Sequence, residues 1–408
     1  MINDAKSLLT SFSNQIPQNI MGPERVAFIS KNVPKLSGSQ KVLLFDLMNH
    51  ILSVMVERDA SDVEIGGHGA NESVWFRIFG EKARAEDLPK LNEDEAAVLI
   101  LSQLNDNQRE IFLSERSLDF SYTFFYEPQD KKIRFRATAY FDLDSIAINM
   151  RAIAGSTRPV ESLEFHPNAL NTMSHNYIKF GLSLVTGITG SGKSTTLDSI
   201  IDFHNGFDPC HIVIVASPVE YVHQSKKSIV KHREVGRDVK SFKDGVVQAL
   251  RQDPDIIVIG EMRDPETILA ALEVTDTGHK VFSTLHTSSA IESIDRIIAE
   301  VHPSEQERVR NRLADVLVSV VSQKLVPSLD GKRVLAKEVL LVTPSVKAAI
   351  KNDNLSEIYM MINQGGPQGM ITMEQDLMRL FQQRKISRDN VIAYANNKTR
   401  IMQLLKGM

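Results

Sequence analysis

The stretch Leu182-Ser183-Leu184-Val185-Thr186-Gly187-Ile188-Thr189-Gly190-Ser191-Gly192-Lys193-Ser194-Thr195 decides the fold of this 408-residue chain. Residues 182–185 form an apolar run short enough to be a buried strand, and residues 187–194 match the pattern G-x-x-x-x-G-K-[ST]. Glycines in such a loop let backbone N–H groups curl round phosphate oxygens, and the helix that follows directs its positive end at the same anion. Lys193 is placed to meet the β- and γ-phosphates of ATP, and Ser194 to offer its hydroxyl to Mg²⁺. Gly187, Thr189, Gly190, Ser191, Gly192, Lys193, Ser194 and Thr195 are therefore the candidate nucleotide-binding residues, with Ser194 the candidate metal ligand.

Further apolar runs at residues 212–215, 256–259 and 281–283 alternate with helical patterns, which predicts an α/β domain built on buried parallel strands. The run Asp255-Ile256-Ile257-Val258-Ile259-Gly260-Glu261 ends in a carboxylate at the strand edge where such sheets bind ligands, so Glu261 is the candidate for polarising the attacking water. An acid on a solvated strand end would read the same way. Many enzymes with this loop carry a magnesium-binding Asp at the position of Gly260, so metal binding here rests mainly on Ser194, phosphate and water. His279 and His286 flank residues 281–283 and lie near opposite ends of that strand, with His286 alone at the ligand edge. Neither has a companion at metal-ligand spacing.

Upstream, residues 1–40 mix polar residues with Pro17, Pro23 and Pro34 and read as a loosely ordered extension. Leu43, Leu44, Leu47, Ile51, Leu52 and Met55 recur at helical spacing, and the helix ends in a turn at residues 58–62. Alternation over residues 120–126, 133–139 and 146–152 predicts an antiparallel meander, in which Arg134 and Arg136 share the face opposite Phe135. Residues 155–167 read as a linker. Beyond it, Leu313, Val316, Leu317, Val320 and Val321 mark a helix, with further helical segments to the C-terminus. The expected domains are thus 1–40 (extension), 41–154, 155–167 (linker) and 168–408.

Composition narrows the function. Forty-two per cent of residues are hydrophobic and 24 per cent charged, and Lys plus Arg number 47 against 51 Asp plus Glu. A net charge of −4 offers no global field for nucleic acid or anionic lipid, so nucleic acid is not expected as a partner. The only cysteine, Cys210, excludes an internal disulfide and any paired-cysteine zinc site and fits a reducing cytosol. With no apolar stretch near 18 residues, the chain is expected neither to span a membrane nor to carry an export signal.

Taken together, the loop at Lys193, Asp253-Pro254-Asp255-Ile256-Ile257-Val258-Ile259-Gly260-Glu261-Met262-Arg263-Asp264, Thr277-Gly278-His279 and Thr284-Leu285-His286-Thr287 resemble the PilT family of type IV pilus retraction ATPases, within the secretion ATPase superfamily. Ser225-Lys226-Lys227, Arg233-Glu234-Val235, Ile294-Asp295-Arg296, Gly365-Gly366 and Gly369-Met370 extend the likeness, as do Ala60-Ser61-Asp62 and Arg134-Phe135-Arg136, over roughly residues 40 to 400. The resemblance implies an N-terminal PAS-like α+β domain, a RecA-like ATPase domain and a homohexameric ring. It also implies ATP and Mg²⁺ as ligands, a cytoplasmic location peripheral to the inner membrane, an inner-membrane pilus platform protein as partner, and a second pilus ATPase as a further one. By the same likeness Glu261 becomes the hydrolytic carboxylate, supported by Glu220. His279 and His286 become a histidine pair, and Arg134, Arg136 and Arg296 candidates for stabilising charge, some across a subunit interface.

Two departures stand out. Val215-Ala216-Ser217-Pro218-Val219-Glu220 carries Ala216 and Ser217 where the family has two acids. Residues 343–351 are only loosely similar to the helix motif associated with retraction. Dot/Icm-type secretion or conjugation ATPases, similar around residues 326–334, and a weakly active ring subunit partnering another pilus ATPase remain the alternatives.

Overall fold

The computed structural model describes residues 2–78, 81–153 and 155–406. Met1, Phe79, Gly80, Ala154, Gly407 and Met408, which the expected domains include, lie outside the described residues. The chain divides into two compact units. The first is Met1–Gly155 with Ser217–Tyr221 and Gly236–Asp238, and the second is Ser156–Ala216, Val222–Val235 and Val239–Met408.

In the first unit the opening forty residues are not a loosely ordered extension. They form α1 (Ile2–Ser13) and α2 (Gly22–Asn32). Pro23 sits in the first turn of α2, where a missing N–H costs nothing, and Pro34 lies in a 3-10 turn after that helix, so the prolines mark helix boundaries rather than disorder. Ala5, Leu9 and Phe12 are buried in the unit's core. Thr10 donates to the Glu95 carboxylate at 2.7 Å, Lys6 pairs with the same group, and Arg25 Nε meets Asp94 at 2.6 Å.

A Ser37–Gln40 capping box starts α3 (Gly38–Glu57), whose Leu44, Leu47, Ile51, Leu52 and Met55 are buried as their spacing predicts, while Leu43 is half-buried. The expected turn after it is shorter, because Asp59 alone takes positive φ and β1 (Ala60–Gly66) begins at once. There follow β2 (Trp75–Ile78), β3 (Glu81–Arg84), α4 (Glu93–Ser102), α5 (Asp106–Glu115), β4 (Ser117–Tyr126), β5 (Lys131–Asp142) and β6 (Ser145–Ala152). They make an antiparallel sheet of order β3-β2-β1-β6-β5-β4, an α+β arrangement that contains the predicted meander. Phe135 is fully buried, and Arg134 and Arg136 stand on its other face opposite Thr123 and Ser121.

The second unit runs α6 (Pro167–Met173), β7 (Gly181–Thr186), α7 (Lys193–Phe207), β8 (His211–Ala216), β9 (Ile229–Glu234), α8 (Phe242–Ala249), β10 (Ile256–Ile259), α9 (Pro265–Asp276) and β11 (Lys280–Leu285). It continues with α10 (Ala290–Ala299), α11 (Pro303–Val316), β12 (Leu317–Pro327), β13 (Arg333–Leu341), α12 (Pro344–Lys351), α13 (Ser356–Gln364), α14 (Met373–Gln382), α15 (Arg388–Tyr394) and α16 (Lys398–Lys406). The sheet order is β13-β12-β7-β11-β10-β8-β9, parallel except for the β12–β13 pair. The four predicted strands lie together at its centre with both faces covered, which is why they read as unbroken apolar runs.

The helix expected through residues 313–321 stops at Val316, and Leu317–Pro327 is a strand. Its apolar spacing suits a helix, but β7 on one side and β13 on the other complete its backbone hydrogen bonds, and Val318, Val320, Val321 and Val326 fit a pleated surface. β13, in a region expected to be helical, follows as its antiparallel partner.

Lys280 opens β11 and is fully buried, donating Nζ to the carbonyls of Ile178 at 3.0 Å and Thr172 at 3.2 Å. Burial pushes its pKa down from 10.5 to about 7, against the pull of Asp208. The unfolded chain therefore binds more protons than the folded one between those two values, and stability rises with pH across that window. Urea unfolding should show this rise in the wild type and a smaller one in Lys280→Met. An equal rise in both would place the titration elsewhere.

Candidate active site

β7 delivers the chain into a loop shaped by glycine. Gly187, Gly190 and Gly192 have φ of 153°, 79° and 87°. A Cβ on Gly187 would lie 2.4 Å from Ser191 Oγ and 2.5 Å from the Gln323 carbonyl oxygen, so only glycine lets the loop close against β12. Gln323 reinforces the closure, donating Nε2 to the Ser191 carbonyl at 2.8 Å. No heavy atom lies within 4 Å of where a Cβ on Gly190 would stand. The loop ends at Gly192, the N-cap of the 15-residue α7, which aims the positive end of its dipole into the loop. Thr189, Ser191, Ser194 and Thr195 lie in the loop and first turn as the motif requires.

Lys193 is nine per cent exposed and bends back over the loop, donating to the carbonyls of Gly187 at 2.8 Å and Ile188 at 3.2 Å. Its Nζ is also 3.5 Å from His286 Nδ1. His286 Nε2 in turn lies 2.9 Å from Glu261 Oε1, and Arg263 Nη2 is 2.6 Å from Glu261 Oε2. A continuous line Lys193–His286–Glu261–Arg263 thus runs along the C-terminal edge of the parallel strands, since β7, β10 and β11 all end there. Burial, then the Lys193 ammonium, hold the His286 pKa below its ordinary 6.5 against the attraction of Glu261, so the ring is neutral at neutral pH. A neutral imidazole can donate one proton to the Glu261 carboxylate and keep it oriented.

The structure brings Lys193, Glu261 and His286 together, but not the whole predicted set. His279 sits beyond the opposite end of β11, with Thr277 Oγ1 at 3.0 Å, so a six-residue strand of about 20 Å separates the two histidines. Arg296, on α10, pairs with Glu300 at 3.2 Å. Arg134, Arg136 and Glu220 form a second set in the first unit. There Arg134 donates to the Val219 carbonyl at 2.9 Å, and Arg136 lies 3.3 Å from Asp119 and 3.6 Å from Glu220. All three arginines have partners within the chain, so a role across a subunit interface cannot be argued from missing ones.

Arg263 and Gln323 escaped sequence reasoning as site residues. Arg263 follows Glu261 by two positions and could have been suspected from that spacing. Gln323 had no signal, because its strand read as part of a helix. Gly260 packs on Ala216: a Cβ at 260 would be 3.2 Å from Ala216 Cα and 3.3 Å from its Cβ. A side chain at 260 would have to push Ala216 of β8 back by a few tenths of an ångström.

Residues 38–388 match the family described as Type II/IV secretion system protein, and the chain belongs to that family. It is 38% identical over 344 residues to the type IV pilus retractation ATPase PilT of Pseudomonas aeruginosa, covering 84% of this chain and 96% of that one. Its structure is similar to that of the pilus retraction motor PilT with bound ADP, with a TM-score of 0.75 and 35% identity over 86% of this chain and 98% of that one. The ATPase DotB of Legionella pneumophila is also similar, with a TM-score of 0.74 and 28% identity over 88% of this chain and 95% of that one.

Proposed function

We propose that this protein is an ATP-hydrolysing motor for type IV pilus retraction, working as a homohexamer. The observation that carries the reading is the Lys193–His286–Glu261 line beside a glycine loop, in a chain that nearly spans a PilT retraction ATPase. Lys193 exchanges the loop carbonyls for the β- and γ-phosphates of ATP, while loop N–H groups and the start of α7 take the remaining charge. Glu261 polarises the attacking water, and His286 holds that carboxylate toward it.

The residues fit Mg²⁺ only as a companion of the nucleotide. Ser194 offers a hydroxyl, and among the described residues no three His, Cys, Asp or Glu side chains are grouped to hold a metal ion. Mg²⁺, held by Ser194 and the nucleotide, would supply positive charge that offsets the charge developing on the transferring phosphate. Restoring the family's acids with Ala216→Glu and Ser217→Asp should raise turnover and lower the Mg²⁺ concentration for half activity, since carboxylates organise the metal's waters. If the double variant changes neither, the acids are dispensable here.

Glu220 adds negative charge, His279 is the second histidine of the pair, and Arg134, Arg136 and Arg296 supply stabilising charge, some of it across a subunit interface. No helix among the described residues is long and apolar enough to cross a membrane. A cytoplasmic ring docked on an inner-membrane platform protein, alongside a second pilus ATPase, accords with that. The similarity to DotB supports a secretion motor as the second reading. Deleting the gene in its own host tests both: cells should keep extended pili that no longer retract. Normal retraction with impaired secretion would favour the second.

A further inference from the structure

Two neighbouring residues of β12 hold two parts of the site. Gln323 binds the glycine loop at Ser191, while Lys324, which a strand turns to the opposite face, donates Nζ to the Tyr394 carbonyl at 2.7 Å and to Asn396 Oδ1 at 2.6 Å. Asn396 carries the connection onward, donating Nδ2 to the Ser288 carbonyl at 3.1 Å. Ser288 lies two residues beyond His286, in the short loop between β11 and α10. The far side of that loop is also held: Glu292 accepts the Ser288 N–H at 2.7 Å, and the buried Glu338 accepts the Ala290 N–H at 2.8 Å.

On the C-terminal side, the next residue, Asn397, caps α16 through the Arg400 N–H at 2.9 Å. Its own N–H is bound at 2.7 Å by Glu374, which is fully buried in α14. The segment between α15 and α16 is therefore anchored to the helical core and reaches out with one amide to the loop that carries His286.

We propose that Lys324 and Asn396 form a latch through which α15 and α16 set the position of the 286–289 loop. Both are positioning residues that keep His286 against Glu261. Lys324 supplies the firm half, a charge-assisted bond from a half-buried amine. Asn396 supplies the releasable half, because it is exposed and water competes for its bond to Ser288. Breaking the Asn396–Ser288 bond frees the loop without touching the glycine loop. The kinetic consequence rests on the reading that His286 assists Glu261.

Amide exchange over residues 286–290 tests the latch, and steady-state ATP turnover tests its effect. Asn396→Ala and Asn396→Asp both lose the donor to Ser288, while the aspartate keeps the acceptor for Lys324. Each should speed exchange in that segment, lower kcat about fivefold and leave KM for ATP within about twofold. Asn390→Ala is the control, since Asn390 ties α15 to the Pro327 carbonyl at 2.8 Å without reaching the loop, and it should change neither. In a His286→Ala background Asn396→Ala should cost nothing further, because the two act on one step. Unchanged exchange in Asn396→Ala overturns the latch. Faster exchange with additive losses in the double variant, or an equal loss in Asn390→Ala, overturns the positioning role. Wild-type turnover in His286→Ala alone would instead overturn the catalytic reading of His286, leaving exchange to decide the latch.

Discussion

Lys193→Ala is expected to lose ATP turnover by on the order of a thousandfold, the scale set by removing a preorganised charge aimed at transferring phosphate. The side chain is almost buried and its amine is held by the carbonyls of Gly187 and Ile188, near His286. Truncation therefore removes charge while the glycines and the start of α7 remain. The same variant carries an internal check. Because the Lys193 ammonium helps depress the His286 pKa, its loss should let His286 keep its proton to higher pH, a change that imidazole NMR titration would register. Turnover near the wild-type value in pure, folded Lys193→Ala would remove the site assignment.

Glu261→Gln should bind ATP and hydrolyse it at least about a hundredfold more slowly, the typical loss when a general base is replaced by an amide of the same shape. Glutamine keeps one acceptor oxygen, enough for His286 or Arg263 but not both, so the side chain keeps its size and loses its negative charge and one of the two contacts. That charge is also the influence that raises the His286 pKa, so in this variant His286 should titrate lower still, the opposite of the Lys193→Ala shift. Opposite displacements in the two variants would show that both groups act on one imidazole. Rapid hydrolysis by Glu261→Gln would move the base to another residue, with Glu220 the next acid to test.

Much of this site was legible because it is local. The glycine loop, Lys193 and the carboxylate ending β10 are each written within a dozen residues, and the stretch at 256–261 places its acid at the ligand edge by strand length alone. His286 was legible from its end of β11, and so was the separation of His279 from it. What could not be read was partnership. Nothing near Glu261 in sequence says that His286 is its neighbour, and nothing near Arg136 says that Asp119 and Glu220 share its guanidinium. Residues 1–40 misled for a related reason. Their prolines are local breakers, whereas the burial of Leu9 and Phe12 and the bonds to Asp94 and Glu95 depend on α4, more than fifty residues on.

Short-range chemistry was enough for the class of the second unit: parallel strands, a glycine loop and a carboxylate, written in glycine's freedom at positive φ and in the apolar run of a strand buried on both faces. Only the tertiary structure decided that Leu317–Pro327 is a strand. Its side chains suit a helix or a pleat, and the choice went to the state whose backbone N–H and C=O groups find partners in β7 and β13. That choice put Gln323 against the glycine loop and Lys324 against the C-terminal helices, an arrangement no local pattern encodes because strand alternation becomes meaningful only once the strand has neighbours.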